Sequence, residues 1–363
     1  MSQPRIIISG GGTGGHIFPA IAIANEVKLR HPDAAILFVG AQGRMEMEKV
    51  PAAGFEIIGL PITGIQRKLT LSNLLVPFRL IKSIFQAKKI IRTFKPDVVV
   101  GVGGYASAAV LYAASAAKIP TLIQEQNSYA GLTNKWLGKK VTTICVAYEG
   151  MERFFPKNKI VITGNPVRKE IADAMQLSQT EAKQSLGFST AKPLVLSIGG
   201  SLGARTINTS LQKNLNKFQQ SDVQLLWQTG QYFKPDTETF TNIKATAFIN
   251  NMSVAYAAAD VVISRAGAIS ISELSLLHKP CILVPSPNVS EDHQTMNAMA
   301  LTSKNAAVLI KDTAAETTLV DSTLELILSS EQKTKLSENI RQFAKPNALV
   351  NIVDQINQLT KWI

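Results

Sequence analysis

The chain has 363 residues, with 38 Lys and Arg against 26 Asp and Glu, a formal net charge of +12, four His and two Cys. That length fits two domains, each large enough for its own core, and a hydrophobic share of 45% excludes disorder or collagen-like order. Charged residues make up 18% of the chain, so a basic but charge-poor surface favours anionic partners: phosphates, nucleic acid or an anionic membrane.

The apolar run after Arg5 stops at glycines within a few residues, which is neither a signal peptide nor a membrane span, and no uninterrupted apolar stretch of ~18 residues occurs. Arg5–Ser9 reads as a buried strand, Gly10–Gly15 as a turn, and the chain from about Pro19 to Arg30 as a helix. Ala35–Val39, Glu56–Leu60, Asp97–Val102, Thr121–Glu125 and Thr143–Val146 read as further strands, short and continuously apolar as in a parallel sheet covered on both faces. After Pro166 the pattern restarts: Leu194–Ile198 runs into Gly199–Gly203 and a helix through Leu215. Val223–Gln228, Thr246–Ile249, Asp260–Ser264, Cys281–Val284 and Ala307–Ile310 complete a second set of strands. Cys145 and Cys281 both stand in apolar runs, which fits a reducing cytoplasm and no disulfide framework.

Alternation of strand and helix predicts doubly wound α/β architecture, here twice. Asp97–Gly104 aligns with Asp260–Gly267, and Ile119–Ile123 with Lys279–Leu283, so strand, turn, helix and X-Pro-strand recur in the same order. The expected division is residues 1–164 and 165–346, two Rossmann-like parallel-sheet domains facing a cleft. The break at Gly164-Asn165-Pro166 follows from the bar on helical backbone before proline. A second break at Lys345-Pro346-Asn347 isolates a terminal segment, 347–363, that could pack back on the first domain.

Three glycine turns follow strands: Gly10–Gly15, Gly101–Gly104 and Gly199–Gly203. Glycine permits positive φ and close backbone approach, and a helix start offers unpaired N–H groups to an anion. The first turn contains G-x-G-x-x-G, but no acidic residue ends the second strand, which disfavours NAD. No G-x-x-x-x-G-K-[ST] occurs, which excludes a P-loop NTPase. His16, just after the first turn, is either a structural imidazole or a functional one, acting as a general base or holding a ligand phosphate. Gln124-Glu125-Gln126-Asn127 stacks four polar residues at one strand end and suits sugar hydroxyls. Ser270 and Glu273 have the spacing of a capping box; the other reading has Glu273 taking two hydrogen bonds from a ribose. The His residues are scattered and no D-x-D is present, so no metal ligand set is expected.

Gly11–His16, Gly103-Gly104-Tyr105, Glu125-Gln126-Asn127 with Ala130–Asn134, Gly164–Arg168, Gly199–Ala204, Ser264–Ala268 with Ser272-Glu273, and Asp292-His293-Gln294 closely resemble the motifs of the MurG family, in order over nearly the whole chain. These are bacterial transferases that add N-acetylglucosamine (GlcNAc) to lipid I, giving lipid II for peptidoglycan. The resemblance implies a GT-B fold and UDP-GlcNAc bound as a substrate, with no cofactor. It puts Arg168 and Ser201 at the diphosphate and sugar-nucleotide groups, the Ile249 backbone at uracil, Ala268, Ile269, Ser270, Ile271 and Ser272 at the phosphates, Glu273 at the ribose and Gln294 at the GlcNAc hydroxyls. Thr13, Gly14, Gly15 and Asn127 join that donor set, and Gly12, Gly103, Gly104 and Tyr105 are expected at the acceptor diphosphate. His16 is expected as the base, or else it orients the acceptor with Glu125 as base. A different GT-B enzyme, a UDP-sugar epimerase or glycolipid glycosyltransferase, would share the fold and donor half. A nucleic-acid-binding protein would explain the charge, but no recognised binding motif is present.

The family's acceptor is a lipid, so the expected place is the cytoplasmic face of the cell membrane, peripherally bound. Asn73–Phe94 puts Leu74, Phe78, Ile81 and Phe85 at helical spacing beside Arg79, Lys82, Lys88, Lys89 and Arg92. Such a segment either lies in the headgroup region of an anionic membrane or buries this apolar stripe on its own sheet.

Overall fold

The computed structural model describes residues 3–62, 76–200, 202–360 and 362. Ser201, expected at the donor diphosphate, and residues 73–75 of the basic segment lie outside the described residues. The chain forms two compact units, Met1–Val167 with Asn347–Ile363, and Arg168–Pro346.

In the first unit β1 (Arg5–Gly10), β2 (Ala35–Ala41), β3 (Glu56–Leu60), β4 (Val98–Gly103), β5 (Thr121–Glu125), β6 (Thr143–Val146) and β7 (Ile160–Ile162) form one sheet in the order β3-β2-β1-β4-β5-β6-β7, every pairing parallel. The helices are α1 (Gly14–Arg30), α2 (Glu46–Ala52), α3 (Val76–Phe94), α4 (Tyr105–Ala116) and α5 (Leu132–Gly138). Side chains alternate across β1: Ile7 joins a core with α3, α4 and α5, whereas Ile6 and Ile8 join one with α1 and the terminal helix Ala348–Thr360 through Ile352, Val353 and Ile356. Trp362 packs edge-on against His31, with ring centroids 5.3 Å apart, and its indole donates to Asp97 Oδ2 at 3.2 Å.

The strand order reverses between β1 and β4, so the loops that leave these two strands diverge at the carboxyl edge of the sheet, where open α/β sheets place their ligands. α1 starts at Gly14, earlier than the Pro19 expected from proline's preference for a helix start. Pro19 instead sits inside the helix, where its missing N–H forgoes one ladder bond, and His16 becomes a first-turn residue.

In the second unit β8 (Leu194–Ile198), β9 (Gln224–Gln228), β10 (Ile243–Thr246), β11 (Val261–Ser264), β12 (Cys281–Leu283) and β13 (Val308–Leu309) form a parallel sheet in the order β10-β9-β8-β11-β12-β13. Around it lie α6 (Lys169–Asp173), α7 (Gln179–Ser185), α8 (Arg205–Lys213), α9 (Leu215–Gln220), α10 (Met252–Ala258), α11 (Ala268–Leu276), α12 (His293–Thr302), α13 (Asp312–Leu328) and α14 (Ser330–Ile340). Here the order reverses between β8 and β11. β10 lies three residues before the Thr246–Ile249 strand read from apolarity. Phe248 is exposed and the Ile249 N–H leaves the ladder to bond the Gln228 side chain at 2.9 Å. Cys145 and Cys281 are buried free thiols, both pushed up to about 12 by burial.

Candidate active-site residues

The loop after β1 is held from below by a buried carboxylate. Glu46, the first residue of α2, accepts the Gly12 N–H on Oε2 at 2.9 Å and the Ala41 N–H on Oε1 at 3.0 Å. The Gly12 amide therefore points at an anion of the protein itself. Gly12, expected at the acceptor diphosphate, thus has its N–H bonded to a carboxylate of the protein. On the other side of the loop, His16 Nδ1 lies 3.0 Å from the Gly11 carbonyl. A carbonyl only accepts, so Nδ1 carries the hydrogen and Nε2 of the neutral ring carries the lone pair.

Gly103 and Gly104, with φ of +112° and +88°, close this arrangement. A Cβ on Gly103 would lie 2.7 Å from His16 Nε2, and one on Gly104 would lie 2.7 Å from the Gly11 carbonyl oxygen. Gly104 caps α4, whose first residue is the exposed Tyr105. Neither α1 nor α4 has an acidic residue in its first turn or a side-chain cap, so the helix-dipole field at both N-termini is uncancelled from within. Thr13 is the N-cap of α1, and its carbonyl accepts the His16 and Ile17 N–H groups at 3.1 Å. Gly14 and Gly15 form the first residues of the helix.

Glu125, the alternative base, stands in a dense set of hydrogen-bond donors. The side chain is buried and accepts the Asn127 N–H at 3.0 Å, the Asn127 amide at 3.3 Å, the Gly131 N–H at 3.1 Å and the Asn134 amide at 2.8 Å. These bonds fix the loop that carries Asn127. Gln124 and Gln126 are buried as well. Gln124 donates to Asn165 Oδ1 at 3.0 Å, Gln126 to the Val102 carbonyl at 2.7 Å, and Asn165 to the Gln126 carbonyl at 3.0 Å. Of the four polar residues expected to meet sugar hydroxyls, three are used to tie β4 and β5 to the Gly164–Pro166 turn and the Asn127 loop.

In the second unit Gly267, not Ser270, caps α11, so the capping-box reading of Ser270 and Glu273 fails. Ala268, Ile269, Ser270 and Ile271 open the helix without an acidic residue in the first turn, and the Ser272 hydroxyl turns back to the Ala268 carbonyl at 3.0 Å. Glu273 is buried, accepts from the Tyr256 hydroxyl at 2.9 Å and lies 3.6 Å from Arg168 Nη2. Burial raises its pKa, opposed by Arg168 and by the Tyr256 hydrogen bond. Gln228 bridges the third glycine turn and Ile249: its amide donates to the Gly200 carbonyl at 3.1 Å and its oxygen accepts the Ile249 N–H. Any reading of a base by Ile249 therefore falls to its carbonyl. Gln294 lies in the first turn of α12 and accepts the Ser286 N–H at 2.8 Å. Among the described residues no group of three or more His, Cys, Asp or Glu could hold a metal ion.

Glu46, Gln228 and Tyr256 escape a motif-based reading. Each is a single residue in an ordinary helix or strand, and each acts on a partner that only the folded sheet brings near.

The glycosyltransferase family 28 N-terminal domain matches residues 6–146 and the family's C-terminal domain residues 194–354. A protein of Cytophaga hutchinsonii named UDP-N-acetylglucosamine–N-acetylmuramyl-(pentapeptide) pyrophosphoryl-undecaprenol N-acetylglucosamine transferase is 58% identical, over 98% of this chain and 96% of that protein. A protein of Parabacteroides distasonis with the same name is 56% identical over 98% of both. The crystal structure of Acinetobacter baumannii MurG superposes with a TM-score of 0.77 at 28% identity, covering 98% of this chain and 99% of that one. With both domains matched and identity above one half across nearly its full length, the chain belongs to glycosyltransferase family 28, among the MurG transferases.

Proposed function

We propose that this chain transfers GlcNAc from UDP-GlcNAc to the C4 hydroxyl of the N-acetylmuramyl group of lipid I, forming lipid II at the cytoplasmic face of the bacterial membrane. The observation that carries the reading is the 58% identity, over nearly full length, to a transferase of that name. The second unit takes the donor. The α11 N-terminus, Ala268–Ser272, and the Arg168 guanidinium face the diphosphate, Glu273 takes the ribose hydroxyls, the Ile249 carbonyl reads uracil, and the Gln294 amide meets the sugar. Thr13, Gly14, Gly15 and Asn127 complete the donor set. Gly103, Gly104 and Tyr105, at the start of α4, which has no side-chain cap, take the acceptor diphosphate.

Transfer proceeds by direct displacement with inversion. His16 Nε2 takes the proton of the acceptor hydroxyl, the hydroxyl oxygen bonds to the anomeric carbon, and UDP leaves with the electron pair of the broken bond. Negative charge growing on the diphosphate is stabilised by Arg168 and by the α11 N–H groups. The test is incubation with UDP-[14C]GlcNAc and a lipid I analogue. Labelled disaccharide lipid is expected; none, from folded protein, sinks the assignment.

Access to a lipid-borne acceptor is by peripheral association through α3. Among the described residues no helix is long and apolar enough to cross a membrane. The core-facing side of α3 is Leu80, Ile84, Ala87, Ile90 and Ile91, whereas Phe78, Ile81 and Phe85 are 70%, 53% and 66% exposed. Three large apolar side chains in water beside Lys82, Lys88 and Lys89 suit an anionic lipid surface.

A further inference from the structure

We infer that Glu46 is a positioning residue for His16, acting through the Gly11–Gly12 peptide. This deepens the reading above and rests on His16 taking part in the chemistry. Glu46 is wholly buried, and its side chain threads between the loop after β1 and the end of β2. Two glycines exist to let it pass: a Cβ on Gly11 would overlap the carboxylate, and one on Gly40 would lie 2.6 Å from Glu46 Cγ. Each carboxylate oxygen takes one backbone N–H, Ala41 on Oε1 and Gly12 on Oε2, so the glycine loop is pinned to the end of β2.

What the pinning controls lies one peptide away. The Gly11 carbonyl accepts from His16 Nδ1 at 3.0 Å, and the same oxygen excludes any side chain at Gly104. His16 Nε2 and Cδ2 then fill the space over Gly103. A glycine loop with φ of +85° at Gly12 has little stiffness of its own. The carboxylate supplies that stiffness: it fixes the direction of the Gly11 carbonyl, and with it the tautomer and tilt of the imidazole. A buried carboxylate accepting two N–H groups suits this role better than a neutral side chain, because charge-assisted hydrogen bonds are shorter and stronger. The Glu46→Gln variant keeps the shape but turns an NH2 group onto one of the two N–H donors, so one bond becomes a repulsion.

The experiment compares wild type, Glu46→Gln and Gly40→Ala by long-range 1H–15N correlation of the His16 ring, alongside steady-state kinetics. Gly40→Ala displaces the Glu46 stem without touching its charge, and serves if Glu46→Gln does not fold. The expected result is loss of the Nδ1–H tautomer signature at His16, with kcat lowered about tenfold and KM for UDP-GlcNAc within twofold of wild type. His16 ring signals identical to wild type in a folded variant overturn the inference, as does a fall in kcat matched by an equal rise in KM. His16→Ala separates the two layers. Full turnover there, with the tautomer still lost in Glu46→Gln, removes His16 from the chemistry and leaves the positioning intact.

Discussion

The Tyr256 phenol donates to Glu273 Oε2 at 2.9 Å, with both side chains buried in the second unit. Burial and the neighbouring carboxylate hold the phenol well above its ordinary 10, so it stays a donor at any physiological pH. One oxygen of Glu273 is thereby committed to the protein, and the other lies 3.6 Å from Arg168. A carboxylate fixed at one oxygen presents the second in a defined direction, as recognition of a ribose hydroxyl needs. Tyr256→Phe keeps the packed ring and deletes the bond. A hydrogen bond to a charged group is worth about 1.5 kcal/mol or more, so KM for UDP-GlcNAc should rise roughly tenfold with kcat near wild type. Preference over the 2′-deoxyribose donor should shrink in parallel. Unchanged selectivity between the two donors would show that the phenol only fills space.

Glu273 also makes a prediction about stability. Its carboxyl titrates above the ordinary 4.5 chiefly because burial penalises the anion, with Arg168 and Tyr256 working the other way. A carboxyl whose folded pKa is raised holds a proton at pH values where the unfolded chain has released it. Its contribution is therefore fully present below about 4.5 and is lost as pH rises through the raised value. Glu273→Gln cannot ionise. The difference in Tm, variant minus wild type, should grow more positive between about pH 4 and pH 8 in scanning calorimetry. A flat difference, or one of opposite slope, contradicts the burial penalty.

The parallel architecture was legible because its signals are local. Ile6-Ile7-Ile8 and Val98-Val99-Val100 are continuous apolar runs that only a doubly covered sheet accommodates, and both are fully buried at its centre. Motif spacing likewise found the family, since glycine turns after strands stay contiguous in sequence. Orientation was not legible. Gln124 and Gln126 look the same in sequence whether they face a ligand or, as they do, bond Asn165 and Val102. The end of β10 was misplaced because an apolar run gives no sign that Gln228 will capture the Ile249 N–H. Glu46 shares a short helix with Glu48, Met47 and Lys49, and nothing in its neighbours marks it, rather than Glu48, as buried.

The Glu125 network separates two roles by kinetics. A base would lose kcat on replacement with KM unchanged. An organiser accepting four N–H groups would lose the loop instead. Glu125→Gln aims an amide NH2 at two of those donors, and each buried donor left unpaired costs about 1–3 kcal/mol. The expected outcome is a lowered urea midpoint together with a raised KM for UDP-GlcNAc, through displacement of Asn127. A variant with wild-type stability and KM but abolished turnover would return Glu125 to the chemistry.

The exposed stripe of α3 yields the last prediction. The helix keeps Ala87, Ile90 and Ile91 in the core while Phe78, Ile81 and Phe85 stand in solvent, Lys88 Nζ lying 5.8 Å from the Phe85 ring centre. Burying a large apolar side chain is worth about 1.5–3 kcal/mol, and each basic residue near anionic lipid about 1 kcal/mol. Phe78→Ser, Ile81→Ser and Phe85→Ser together should cut co-sedimentation with phosphatidylglycerol vesicles at least a hundredfold, with little change in melting temperature because all three residues are more than half exposed. Lys88→Glu, Lys89→Glu and Arg92→Glu together should weaken binding to those vesicles while hardly changing the weak binding to phosphatidylcholine. Both variants should still glycosylate a water-soluble acceptor analogue. If the serine variant sediments like wild type, the stripe is not the membrane contact, and the basic residues around it are an ordinary solvated face.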